Sequence, residues 1–443
     1  MGLSEEFKKK RERELEELKE HKKELNKGEK DLYSKVWVAH SINFVVEEAS
    51  KEVPTLKDYE RFSCYLATIL ARKKQVVAVW LRILSDRCEI HLSKNFTWKN
   101  KDVKYIDKIM MHLKDISKNA PAHSDINEGA FTEAVTVYCS AKLESRYEKL
   151  RDYIKKNGGS EHVRSFKDFF SANTADKTSM IMASRTCNKY YKEVKDKDDG
   201  KVKSSILSEF LELIKKVGSY AGSIIGIVEC ARNIQYKSLF SNSIVIKRSP
   251  VIVYDQPIYS WKNIIRRFIE EDKYEGFMDR CSKKTNVMER MRKAYTDNAT
   301  KQQQPLNGSD VKQCVYLHAE MNILAYIIDN KINGREFIAV SKKCCYLCEL
   351  YIEFAREQGF DIIISENYKK IYSGWKLPHV KNDNFKIDSL RYILESLNRI
   401  IEQKLEHYTR SLPASPDSGG EYLDVSFEKA SKKVRRVNSL FDE

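Results

Sequence analysis

Between Leu317 and Cys348 the chain reads LHAEMNILAYIIDNKINGREFIAVSKKCCYLC, an apolar stretch with a His and a Glu two residues apart at one end and a Cys-x-x-Cys pair at the other. Its patterning is unusually restrictive. Val315 and Leu317 end a short strand, and Met321, Leu324, Ile327 and Ile328 then follow helical spacing until Asn333-Gly334 stops them. Phe337-Ile338-Ala339-Val340 is the continuous apolar run of a buried strand. A second amphipathic helix opens at Cys345-Tyr-Leu-Cys348 and closes at Gly359, before another buried strand at 361–365. Strand, helix, strand, helix, strand implies a sheet with right-handed crossovers. Two helices starting at one sheet edge would bring His318 to Cys345 and Cys348.

That convergence predicts a metal. One imidazole and two thiolates suit a tetrahedral Zn²⁺ whose fourth position is left to water. Cysteines at i and i+3 in a first helical turn can face one ion, and the helix N-terminus favours their thiolate form. Glu320 stands too close in sequence to His318 to ligate the same ion easily, and is placed to move protons. Apart, a CxxC or an HxE says little; at two helix starts with a strand between them they form the HxE…CxxC signature of zinc-dependent base deaminases.

The segment resembles the cytidine deaminase-like superfamily. The local forms VYLHAEMNIL, IAVSKKCCYLC and YSGWKLP resemble the nucleic acid/nucleotide deaminase families of fungi and bacterial toxin-type domains, over roughly residues 311–380. The resemblance implies zinc on His318, Cys345 and Cys348, and Glu320 as proton shuttle. It implies hydrolytic deamination at C4 of a cytosine or C6 of an adenine, with zinc-bound hydroxide as nucleophile. It also makes Ala319 a backbone contact to the base. Many members carry Pro where this chain has Cys344, which could compete as a ligand or simply pack. Trp375 could stack on a base or fill the core. Ser341 is expected to hydrogen-bond the zinc loop, and Lys342 to meet a phosphate.

The remaining sequence supplies context. With 443 residues, 42% hydrophobic and 11% aromatic, the chain can bury two or three cores. Only 8 Pro and 16 Gly favour helices. The expected organisation is a charged helical leader over 1–30, a mainly helical domain of unknown role over 31–240, an α/β deaminase-like zinc domain over 241–409 and a disordered tail over 410–443. Within the second region, Phe62, Leu66, Ile69 and Leu70 form one helical stripe and Val77, Trp80, Leu81 and Leu84 another. Gly218, Gly222 and Gly226 form a small-xxx-small stripe, but the uncharged run between Lys216 and Glu229 is too short to span a bilayer. Close packing of a core helix is expected, with no membrane span.

A net charge of +15 suits nucleic acid or an anionic membrane surface, or reflects Lys-rich solvated faces. Most of the ten cysteines are scattered singly, unlike a secreted disulfide framework. The charged N-terminus is unlike a signal peptide, and Glu6 spoils a myristoylation motif. An intracellular protein is expected, cytoplasmic or nuclear, with KKVRR at 432–436 a weak nuclear signal. The chain lacks HExxH, a Walker-type phosphate loop and GxGxxG. Against the leading reading, a zinc deaminase of nucleic acid or nucleotides, stand an inactive zinc-stapled module and a helical interaction platform beside a vestigial deaminase fold.

Overall fold

Where the periodicity predicts a helix around residues 77–84, the chain forms a strand. β1 (Val77–Ile83) and β2 (Arg87–Lys94) make an antiparallel hairpin, closed by Leu84 N–H donating to Arg87 O at 2.9 Å. The reason is burial on both faces. Ala78 and Trp80 point into one apolar core, while Val77, Val79 and Leu81 point into another. A strand covered on both sides has no polar face to betray its period, and a continuous apolar run imitates a helix.

The computed structural model describes residues 5–42, 55–72, 74–121, 125–174, 179–196, 205–241, 243–365, 367–368 and 370–410. Residues 411–443, with the KKVRR segment and nearly all of the expected tail, lie outside them, as does Gly2.

The helices before the hairpin are α1 (Glu5–Ser41) and α2 (Asp58–Leu70). After it come α3 (Asn100–Lys118), α4 (Asp125–Lys156), α5 (Glu161–Asn173), α6 (Met180–Asp196), α7 (Ser205–Arg232) and α8 (Lys237–Ser241). The C-terminal part contains β3 (Ser243–Arg248), β4 (Val253–Ile258), α9 (Trp261–Ile265), α10 (Glu271–Ser282), α11 (Thr285–Ala294), β5 (Val311–Tyr316), α12 (Ala319–Asp329) and β6 (Glu336–Val340). It ends with β7 (Cys344–Cys345), α13 (Tyr346–Glu357), β8 (Ile362–Ile364), β9 (Asn367–Tyr368) and α14 (Asp383–Arg410).

One mixed sheet organises all of this, in the order β3-β2-β1-β6-β8. β1 is antiparallel to both β2 and β6, whereas β2–β3 and β6–β8 are parallel. Period-2 alternation sends Ile338, Ile362 and Ile364 into the core that holds α12 and α13. Phe337 and Ala339 face the opposite core, with residues of α2 to α7. A separate N-terminal helical domain is therefore not confirmed. The boundary expected at 240 runs through the sheet, and the helices of that region cover one of its faces. The strand–helix–strand–helix–strand order over 311–364 is present, but β5 pairs with β4 in a two-stranded sheet of its own.

Two further details complete the packing. α1 continues beyond the expected leader, and Leu32, Tyr33, Val36 and Ala39 of its last turns are fully buried against the α12 side. The glycine stripe of α7 serves close approach between helices: a Cβ on Gly218 would stand 2.7 Å from the backbone nitrogen of Asn188 on α6. No helix among the described residues is long and apolar enough to cross a membrane.

Candidate metal centre

The end of β5 and the start of α12 place the first donor. Leu317 N–H donates to Ile252 O at 3.0 Å, so the backbone is still extended there. His318 is the N-cap of α12 (φ −66°, ψ 149°), and its carbonyl accepts from Asn322 N–H at 3.1 Å to begin the helix. Cys345 is likewise the N-cap of α13, fixed from behind by the β7–β9 pairing, and Cys348 follows in the first turn. Two helix N-termini thus meet at one point, and their dipoles favour anionic ligands.

His318 Nδ1 lies 3.2 Å from Cys348 Sγ and 3.5 Å from Cys345 Sγ, and the two sulfurs are 3.3 Å apart. Zinc bonds of about 2.3 Å to sulfur and 2.0–2.1 Å to nitrogen at a tetrahedral angle would separate donors by about 3.5–3.8 Å. The triangle fits within a few tenths of an ångström, and these three residues could hold a metal ion. Burial pushes both thiols well above their ordinary pKa. Without a cation, then, neither sulfur is at ease as a thiolate. Burial also opposes the imidazolium of His318, but Cys345 and Glu320 outweigh it and raise its pKa to about 10. Burial would raise Glu320 too, yet His318 keeps its carboxyl below the usual value. Two thiols that burial penalises as anions, and a carboxylate beside them, would all be stabilised by a cation at this enclosed point.

Glu320 completes the centre. It is 3% exposed, with Oε1 3.7 Å from His318 Nδ1. Its Oε2 is buried and without a hydrogen-bond partner among the described residues.

Residues 317–379 match the family described as OTT_1508-like deaminase. These residues are a deaminase-like segment. No curated protein and no solved structure matches the chain. The deaminase-like segment contains the three donors, Glu320 and Trp375, while the β1–β2 hairpin of the same sheet lies far outside it.

The other predicted residues divide. Trp375 is fully buried in the core, and its indole N–H donates to the Sγ of Cys348, one of the candidate donors, at 3.2 Å. Ala319, 1% exposed, is the first residue of α12. Among the described residues, the bonds found for Ser341 run to the start of β1. Its N–H donates to Val77 O and its Oγ accepts from Val77 N–H, both at 2.9 Å, tying β6 to the start of β1. Lys342 is exposed beside it. Cys344 is fully buried, donates weakly to Cys345 O at 3.6 Å, and also groups with Glu320 and Cys348 as a possible metal set. Burial pushes its thiol up to about 12.

The sequence reading missed two rings that flank the donor imidazole: Tyr316, 5.1 Å away between centroids, and Tyr372, 6.4 Å away and edge-on. Extended backbone puts residues i and i+2 on one side, so Tyr316 was within reach of inference. Tyr372 comes from a later loop and carried no such signal.

Proposed function

We propose that this protein is a zinc-dependent deaminase that hydrolyses the amino group of a cytosine or adenine base in a nucleic acid or nucleotide. The observation that carries this is the unpartnered Glu320 oxygen, buried beside the three donors. A metal that merely staples a fold gains nothing from such a carboxylate, whose burial is costly.

His318, Cys345 and Cys348 would hold the zinc. When bound there, zinc supplies Lewis-acid activation of a water for attack on the amine-bearing ring carbon. Glu320 accepts the proton that this water gives up and passes it to the ring nitrogen; it then moves the proton of the newly added hydroxyl to the amino group, whose C–N bond breaks to release ammonia and leave a carbonyl. The mostly enclosed surroundings strengthen each of these interactions.

The test pairs metal content with ammonia release from cytidine, adenosine, single-stranded DNA and RNA. Wild type is expected to carry close to one zinc per chain, lost in Cys348→Ala. Glu320→Ala should keep the metal and lose about 10²–10⁴-fold in turnover. A fully metallated wild type inert on every amino-bearing base would replace this reading with the non-catalytic zinc module.

A further inference from the structure

The sheet face opposite the metal centre's helices carries a group of cations that the proposed chemistry does not use. α4 sets Cys139, Lys142 and Arg146 on one stripe, at helical spacing, towards α7. Arg146 is held there: Nη1 donates to Lys216 O at 2.8 Å and to Ser219 Oγ at 3.0 Å, and the guanidinium lies 5.0 Å from the centre of the Tyr220 ring. The Tyr220 hydroxyl is buried with no hydrogen-bond partner among the described residues.

Lys142 has no such anchor. It is 8% exposed, yet no hydrogen bond or ion pair to it is found among the described residues. The groups that act on it are the cations Arg146 and Lys342, opposed only by the buried Cys139 thiol, with no carboxylate among them. Burial and these like charges push its pKa well below the ordinary value. A nearly buried amine beside two cations is costly to keep protonated, and an anion entering between them would relieve that cost.

Position gives the arrangement its meaning. Lys342 belongs to the loop that runs from β6 to the donor Cys345, and Ser341 beside it is tied to the first residue of β1. Lys342 of that loop and Lys142 of the helical layer are near enough to act on each other electrostatically.

We propose that Lys142, Arg146 and Lys342 form a phosphate-binding site, with Lys142 supplied by the helical layer to a substrate whose base is processed at the metal centre. The link to the base rests on the deaminase reading; phosphate binding does not. Arg146 offers a planar, fixed donor, and the two lysines add mobile point charges. A phosphodiester of a polynucleotide and the phosphate of a mononucleotide share this chemistry.

The experiment uses the full-length, zinc-loaded chain. Inorganic phosphate should raise the wild-type Tm, and Lys142→Met should abolish that rise while keeping its zinc. Its ligand-free Tm should not fall, because the replacement removes an uncompensated buried charge. The affinity for a single-stranded oligonucleotide or for cytidine and adenosine monophosphates should drop about tenfold or more in the variant. Whichever of the two ligands shows the drop identifies the source of the phosphate. Lys342→Ala, on the exposed loop, gives the same readouts should Lys142→Met misfold. Unchanged phosphate response and nucleotide affinity in a folded variant would overturn the site. Loss of phosphate binding in a protein that deaminates nothing would overturn the deaminase reading and leave the site standing.

Discussion

The β1–β2 hairpin and the deaminase-like segment hand strands to the same sheet, yet only the second announces itself. Over 311–364 strands and helices alternate apart from the two-residue β7, and polar ligand types mark the helix starts. VAVWLRI has neither advantage: it is buried on both faces, and its next sheet neighbour in the order, β6, is hundreds of residues away. β6 is closed on both faces too, but Gly334 before it and a helix on either side bound its short run, so it reads as a strand. The run of β1 has no such neighbours, and its spacing imitates a helix.

The sharpest way to break this comparison is to damage the hairpin and watch the metal. Trp80 is fully buried, its indole N–H donates to Glu336 Oε2 at 2.7 Å, and its ring lies 4.4 Å from that of His91. Trp80→Ala should cost about 3–5 kcal/mol of stability. If the hairpin belongs to the metal-bearing sheet, heating should release zinc in step with a single unfolding transition. Zinc retained through a separate first transition would make the helical region an independent unit.

A smaller effect is expected on the legible side. Trp375→Phe keeps the packing but removes the N–H donor to Cys348 Sγ. Zinc affinity, measured by chelator competition, should fall about 10–100-fold, with little change in Tm at saturating zinc. An unchanged affinity would reduce Trp375 to a core residue.

The smallest effect concerns pH on the hairpin. Burial alone would raise the pKa of Glu89, but Lys247 at 2.9 Å, Arg87 at 3.0 Å and His91 outweigh it and lower it from 4.5 to about 2. A carboxylate with a depressed folded pKa stabilises fully above its unfolded pKa. That contribution is lost as pH falls from about 4.5 towards 2. Glu89→Gln should flatten the Tm profile over this acid window and leave the neutral slope alone.

The candidate site was legible to different depths for physical reasons. His318, Cys345, Cys348 and Glu320 belong to scarce residue types whose spacing has chemical meaning, so their convergence could be anticipated. Ser341 was placed near the metal loop, but its true partner is a backbone 264 positions away, and no local pattern encodes that pairing. Lys142 was invisible: in a helix rich in charges, one more lysine looks solvated until packing encloses it. The helical layer was recognised as helical, but its role as a cover for the sheet depends on β1 and β2 being strands.

The two-way bond between Ser341 and Val77 has a practical corollary for anyone cutting the gene. A fragment begun at residue 241 keeps every candidate metal donor but strips β6 of its partner β1 and β3 of its partner β2. Such a fragment offers bare strand edges and an uncovered apolar face, the ingredients of aggregation. A piece that keeps these pairings must reach back past the hairpin, although the family match begins only at Leu317.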